Sequence, residues 1–426
     1  MTAPSTPGSV APTRAGFERD AYLQALETQV LQSGSDGGRP YAVLADTLLY
    51  PEGGGQPADR GLLEARDVAV EVVDVQRVMG SASHSGPPER EVRHFLSQPV
   101  AVGPTTVRLD WARRYDLMQQ HTAQHLLSAI AADRFGWPTT SFHLGPEVCD
   151  VELDVPALGG EQLATLEEAV MVEVRATRAV SARRVPLAEY EALGDRVRSR
   201  GLPEGFADDV RLVEIEGIDL NTCGGTHLRS TAEIESLKLL GTERLRGGTR
   251  LYWVAGGRVR QRLGRREDQA AELRATLGAS DDDLVEVARQ KLSRLEQADR
   301  TQRALTKELA SATAAALLGG SEPVVARHFE DREATFLQEV GRAFADGEGA
   351  RLALLTARAG DRLAFVVAAA SGAAGDVREL GQQVAALLDG RGGGAGQVFQ
   401  GRAGSLARVE EAHALMDRVL TANHPS

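Results

Sequence analysis

From Trp111 to Phe135 neither Gly nor Pro interrupts the chain, and Met118, Leu126, Leu127 and Ile130, with small Ala123 and Ala129, recur at helical spacing. In a helix, residues four apart stack on one face. His121 and His125 therefore project together and can grip one metal ion. Alone, such a pair reads better as two ordinary polar histidines. A second pair shifts the balance. Cys223-Gly-Gly-Thr-His227 lies 227 − 125 = 102 residues further on, and holds one of 2 cysteines and one of 9 histidines. Its Gly-Gly lets the backbone turn tightly, so that thiolate and imidazole can face one point. Two imidazoles from a helix plus a thiolate and an imidazole from a turn make the tetrahedral N/S set that zinc prefers. The expectation is one Zn²⁺ per chain on His121, His125, Cys223 and His227.

Four protein ligands usually mean a closed structural site, whereas a catalytic ion needs an open position. Cys223 could instead be a thiol nucleophile with His227 as its base, but a Gly-Gly turn facing a helical His pair favours metal.

The rest of the chain must carry this constellation. Its 426 residues suffice for two or three domains. No run approaches the ~18 apolar residues of a membrane span. Residues 1–16, rich in Ser, Thr, Pro and Ala, lack a signal-peptide pattern and read as a disordered leader. The two cysteines form no disulfide framework, which suits a reducing compartment, the cytoplasm. A net charge of −12 disfavours a protein that coats nucleic acid. Yet Arg244 to Arg266 contains eight arginines and no acid. That stretch reads as a phosphate-contacting strip or, equally, as a solvated face.

The fold expected is α+β in four parts. Residues 17–110 read as a small β-barrel, with strands at 41–49, 68–78 and 100–109 and a polar turn at 81–89. Within it, Gly53-Gly54-Gly55-Gln56 follows a strand and can bring backbone close to a ligand. Residues 111–258 read as an α+β domain with helices on one face of a mostly antiparallel sheet. Residues 259–320 read as a helical hairpin or coiled-coil arm turning at Gly278–Asp283, a spacer or a dimerisation surface. Residues 321–426 read as an α/β module with a second glycine-rich loop, Arg391-Gly392-Gly393-Gly394, and a closing helix capped by Ser405.

Four motifs, in this order, carry a resemblance: Tyr50-Pro-Glu-Gly-Gly-Gly-Gln-Pro-Ala-Asp59, Met118-Gln-Gln-His-Thr-Ala-Gln-His-Leu-Leu127, Thr140-Ser-Phe-His-Leu-Gly145 and Asn221-Thr-Cys-Gly-Gly-Thr-His227. The chain resembles the long form of the free-standing alanyl-tRNA editing proteins, relatives of the editing and C-terminal regions of alanyl-tRNA synthetase. The threonyl-tRNA synthetase editing domain shares the two metal pairs but not the surrounding architecture. The Arg391 loop resembles a C-terminal module found beside DHH-type phosphoesterases, without the Asp/His cluster of a two-metal site.

The resemblance implies hydrolysis of Ser-tRNA(Ala), and of Gly-tRNA(Ala), with zinc as cofactor and tRNA(Ala) as partner. A homodimer through the arm is compatible with it. An alanine-activating site cannot strongly reject an added hydroxyl or a missing methyl, so a second hydrolytic site is needed. On the matching positions, His121, His125, Gln56 and Thr140 form the expected catalytic set. Gly54, Gly55, Thr139, Ser141, His143, Arg391 and Gly393 form the expected substrate contacts. The adenylate-forming half of a synthetase is missing, so aminoacylation is not expected. The competing expectation is a non-catalytic tRNA-binding or partner-binding protein whose zinc is structural.

Overall fold

The computed structural model describes residues 13–65, 68–79, 90–199, 201–202, 208–373 and 375–423. Two compact units divide at Ala270/Ala271.

The first unit begins with β1 (Arg14–Ala15), α1 (Gly16–Arg19), β2 (Ala25–Asp36), β3 (Arg39–Leu44), β4 (Asp46–Thr47), β5 (Gly61–Ala65), β6 (Val68–Met79), β7 (Arg90–Leu96) and β8 (Gly103–Leu109). Six of these close into a barrel in the order β2-β3-β7-β6-β5-β8, while β1 pairs with β4 in parallel. Alternation along the strands sends Val30, Ala42, Leu44, Leu63, Val72 and Val107 inward, and a register shift in β6 between Val72 and Asp74 turns Val75 inward as well. Gly61 lies where β5 and β8 approach most closely: a Cβ there would meet the Arg108 carbonyl oxygen at 2.1 Å. Of the strands expected at 41–49, 68–78 and 100–109, the first is divided into β3 and β4, the other two are β6 and β8, and β1, β2, β5 and β7 are additional. The polar turn at 81–89 and residues 1–12 of the expected leader lie outside the described residues. Of that leader, Arg14 to Gly16 belong to β1 and α1.

The unit continues with α2 (Trp111–Phe135), β9 (Thr139–His143), β10 (Cys149–Leu153), α3 (Gly160–Arg175), β11 (Val180–Val185), α4 (Leu187–Leu193), β12 (Val210–Ile215), β13 (Asp219–Thr222), β14 (Leu237–Leu245) and β15 (Gly248–Ala255). The strands form two sheets, β14-β15-β10-β9 and β11-β12-β13, where one was expected. Helix α2 starts on an Asp110 cap that accepts from the Arg113 N–H at 3.1 Å, and it stops at Gly136, whose φ is +69°. It is buried through most of its length, packing Leu126, Leu127 and Ile130 with Val151, Leu166, Val170 and Trp253. Its Arg114, fully buried, forms an ion pair with Asp59 and donates to the Leu48 carbonyl at 2.6 Å. That pair fixes α2 against the glycine loop at the barrel's end, because breaking a buried ion pair costs about 3–5 kcal/mol.

Helix α5 (Gly257–Leu277) crosses the unit boundary. The second unit then holds α6 (Leu284–Leu318), β16 (Val324–Glu330), α7 (Ala334–Ala345), β17 (Leu352–Ala359), β18 (Arg362–Ala369), α8 (Val377–Leu387), β19 (Arg391–Ala395), β20 (Val398–Ala403) and α9 (Val409–Asn423). One sheet, β16-β17-β18-β20-β19, is covered on both faces. Ala353, Leu355 and Val366 pack with α7, and Leu354, Phe365 and Val367 pack with α8 and α9. This explains the unbroken apolar runs of β17 and β18. The expected second glycine loop is a strand. Gly392 and Gly394 lie so close to β20 that a Cβ would meet the carbonyl oxygens of Gln400 at 2.3 Å and Val398 at 2.1 Å. Ser405 caps a turn ahead of α9, accepting from the Ala407 N–H at 3.1 Å.

Candidate metal centre

His121 and His125 lie one turn apart on α2, and Cys223 and His227 flank the turn that follows β13. One donor atom from each lies within 4.8 Å of every other. Sγ of Cys223 is 3.5 Å from Nε2 of His121 and 3.3 Å from Nε2 of His227. Zinc bonds of ~2.3 Å to sulfur and ~2.0 Å to nitrogen at tetrahedral angles give an N···S separation of about 3.5 Å. The donor set and its spacing therefore fit a zinc ion.

Each imidazole is oriented by a hydrogen bond on its other nitrogen. Nδ1 of His121 is 2.8 Å from Oε1 of Gln56, which also accepts the Thr226 N–H at 3.0 Å. Gln56 is itself locked, its Nε2 donating to the Thr226 hydroxyl at 2.8 Å. Nδ1 of His125 lies 3.0 Å from Oδ2 of Asp219, whose Oδ1 accepts from Arg198 at 2.7 Å. Nδ1 of His227 lies 3.2 Å from the Thr122 hydroxyl, which accepts the Leu228 N–H at 3.1 Å. With all three Nδ1 atoms engaged, the Nε2 lone pairs are directed at the common point. The turn that carries Cys223 and His227 is clamped by half-buried Arg211, which donates to the carbonyls of Cys223 at 2.7 Å and Gly225 at 2.8 Å. Gly225 is obligatory here: a Cβ would stand 2.3 Å from Cε1 of His121.

The electrostatics suit a cation. Burial alone would raise the Cys223 pKa, but His121 and His227 hold the thiol well below its usual range. Burial, then the neighbouring His121, push His227 down to about 3. Burial opposes protonation of His125 as well, but its bond to Asp219, with Cys223 beside it, carries it up to about 10. A thiolate is thus in place, and binding a metal releases the proton held between His125 and its partners. Cys223 is the one donor residue of the four that is half-buried, the three histidines being buried.

Around the donors, the barrel loop and β9 supply a wall. Gly55, at φ +83°, faces Phe142 so closely that a Cβ would meet the ring at 2.5 Å, and Gly54 also has positive φ, +57°. The Phe142 ring lies 6.2 Å from the His121 ring. A bulge between Glu152 and Leu153 shifts the register of β9. Thr139 donates to Ser128 on α2 at 2.8 Å, and Ser128 in turn accepts from Gln124 at 2.9 Å. Ser141 is half-buried. Thr140 is exposed and donates to the Glu152 carbonyl at 3.3 Å. His143 is exposed beside Asp150 at 3.6 Å. Arg391 and Gly393 lie on β19 of the second unit.

Residues 210–252, which include Cys223 and His227, match the family described as the threonyl and alanyl tRNA synthetase second additional domain. Residues 19–95 match the class II (A) tRNA synthetases. The mouse alanyl-tRNA editing protein Aarsd1 is 34% identical over 418 residues, covering 94% of this chain and 96% of that protein. The Xenopus laevis protein Aarsd1-A is 31% identical over 422 residues, covering 95% and 97%. The chain belongs to the alanyl-tRNA editing proteins. An alanine–tRNA ligase of Ignicoccus hospitalis is also similar, 33% identical over 341 residues that cover 78% of this chain but 36% of the ligase.

In this editing protein the sequence reading passed over several residues that build the site: Asp219, Thr122, Arg211, Phe142 and Gln124. Two had a local signal. Asp219 stands four residues before Cys223, and Thr122 lies between the paired histidines. No helix among the described residues is long and apolar enough to cross a membrane.

Proposed function

We propose that the chain hydrolyses the ester of misacylated tRNA(Ala), chiefly Ser-tRNA(Ala) and also Gly-tRNA(Ala), at a zinc ion held by His121, His125, Cys223 and His227. The observation that carries this reading is the convergence of three oriented imidazoles and a thiolate on one point. Bound zinc supplies a positive charge that polarises a carbonyl or acidifies water. The chain's own residues do the positioning. Gln56, Asp219 and Thr122 hold the imidazoles, and Gly54, Gly55 and Phe142 form the wall against which the terminal adenosine packs. Water adds to the ester carbonyl carbon, the bond from that carbon to the ribose oxygen breaks, and the water proton passes to that oxygen. The amino acid and an uncharged tRNA leave.

Editing must spare Ala-tRNA(Ala). A site that hydrogen-bonds a substrate hydroxyl strongly rejects an analogue lacking it. Thr139 and Ser141 are the proposed contacts to the serine hydroxyl, supported by the Thr139–Ser128–Gln124 chain that reaches α2 beside His121 and His125. Thr140, expected in the catalytic set, is exposed and spends its hydroxyl on the Glu152 carbonyl, so it is proposed with His143 as a contact to the nucleic acid, and Arg391 and Gly393 as the tRNA contact of the second unit. The protein works in the cytoplasm, and exposed Leu292, Leu295, Leu305 and Leu309 on α6 support a homodimer.

The test is deacylation of Ser-tRNA(Ala) and Ala-tRNA(Ala) by the full chain and by His125→Ala, with zinc measured in each. Rapid loss of the serine ester, a spared alanine ester and an inactive variant are expected. The competing reading, a closed structural zinc, is favoured by the four protein donors. One equivalent of zinc with no ester loss would establish it.

A further inference from the structure

The arginine-rich stretch from Arg244 to Arg266 does not fold into one surface. Arg250 is engaged by Asp150, Glu152 and Glu243. Arg244 and Arg246 lie at the exposed tip of the β14–β15 hairpin. The start of α5 instead joins the barrel loop and the N-terminal half of α2 around a cleft of 590 Å³ whose lining includes Arg60, Arg113, Tyr115, Arg258, Arg260 and Arg265.

The charges in this cleft are unevenly matched. Arg258 is held by Asp116 at 2.7 Å, and Arg260 is paired with Glu235. Arg60, Arg113 and Arg265 have no carboxylate partner among the described residues. The guanidinium of Arg113 leans on the Ala58 carbonyl, with Nε at 3.1 Å and Nη2 at 2.8 Å, which leaves Nη1 for a ligand. Burial, then the neighbouring Arg60, lower its pKa. Of the acids in the lining, Asp110 is given to the α2 cap, Asp116 to Arg258 and Glu235 to Arg260, which leaves exposed Glu147 against three arginines. Three arginines against one carboxylate leave an excess of positive charge, which calls for an anion from outside.

The location says which anion. Ala58 and Arg60 belong to the loop whose Gln56 orients His121. Arg113 and His121 are eight residues apart on α2, about 12 Å along its axis. A strand whose terminal ester lies at the metal centre needs cationic groups at such a distance for its next backbone phosphates. Forked guanidinium groups suit phosphate, and the Tyr115 ring in the same lining offers a face for a base.

We propose that the cleft bearing Arg60, Arg113 and Arg265 is the binding site for the backbone phosphates of the single-stranded 3′ end of tRNA. This rests on the editing reading of the metal centre. The test uses the full chain and the double variant Arg60→Gln/Arg265→Gln, both exposed positions. One arm measures deacylation of a serine-charged acceptor-stem hairpin; the other measures anisotropy of the uncharged hairpin across a salt series. In the variant KM rises about tenfold with kcat unchanged, and the slope of log affinity against log salt falls by about 1.4, for two single-strand phosphate contacts. Arg244→Gln/Arg246→Gln changes neither. A wild-type KM and salt slope in the cleft variant, or an equal loss in the hairpin variant, would overturn the assignment. If the wild type releases no serine, the editing reading fails, and the anisotropy arm still decides the cleft.

Discussion

Buried histidines occur in two regions of the first unit, and only one of them can hold a metal. In the barrel, His94 is fully buried, with Nε2 2.8 Å from the Thr47 hydroxyl and Nδ1 3.2 Å from the Ala42 carbonyl. Both ring nitrogens are satisfied by the barrel itself, so nothing remains for a ligand. In the metal centre the rings are also buried, but only Nδ1 is satisfied by a group outside the donor set. The three Nε2 atoms converge beside a thiolate instead. Burial does not make a histidine functional; the direction of its second nitrogen does.

The sharpest way to break that contrast is to disturb convergence while leaving every ligand in place. Gly225→Ala puts a methyl where His121 stands, whereas at Gly224 a Cβ meets nothing within 4 Å. Gly225→Ala should lose zinc by more than about 100-fold in affinity, beyond the usual cost of disturbing a ligand's outer partner. Gly224→Ala should retain one equivalent. Zinc content after dialysis, measured for both, checks this; equal retention would mean that the turn is not what sets the geometry.

The barrel side of the contrast is tested by pH. Burial pushes the His94 pKa down to about 4, from 6.5 in the unfolded chain. The neutral ring is the form the fold accepts, so the associated stability is complete above pH 6.5. It drains away as pH falls toward 4, by at most ~3 kcal/mol. His94→Gln should flatten that part of the urea-unfolding stability curve, compared with wild type at each pH under zinc saturation. A curve with unchanged slope would show that His94 does not limit acid stability.

The four donors were legible in the sequence because helical spacing and a Gly-Gly turn act over a few residues. The contacts that orient them were not. Asp219 reaches His125 across 94 positions and Gln56 reaches His121 across 65, and no local periodicity records such contacts. Barrel character was legible from β-branched alternation, but β5 (Gly-Leu-Leu-Glu-Ala) and β7 lack that signature. Strand β19 was illegible for another reason. Glycine carries no side-chain pattern, and its role there is to let β20 approach, a property of the neighbour and not of the run itself. Gly54 and Gly55, a similar run, are needed for positive φ instead. Division of the central strands into two sheets likewise depends on pairing partners distant in sequence.

A finer comparison of the two kinds of histidine concerns the acceptor on Nδ1. For His94 it is a backbone carbonyl that no side-chain substitution removes. For His125 it is Asp219, both of whose carboxylate oxygens are in use, one facing the ring and the other facing Arg198. Asp219→Asn supplies one oxygen and one NH2 group to two donors, so one donor must face another donor. If the oxygen stays with Arg198, His125 loses the acceptor that fixes its tautomer and its aim. Zinc affinity should fall about 10–100-fold, with deacylation falling in parallel and restored by excess zinc. Adding Arg198→Ala to the variant frees the oxygen for His125 and should return part of the loss. If the double variant binds zinc no better than Asp219→Asn, the residue acts through its charge and not through the orientation it gives the ring.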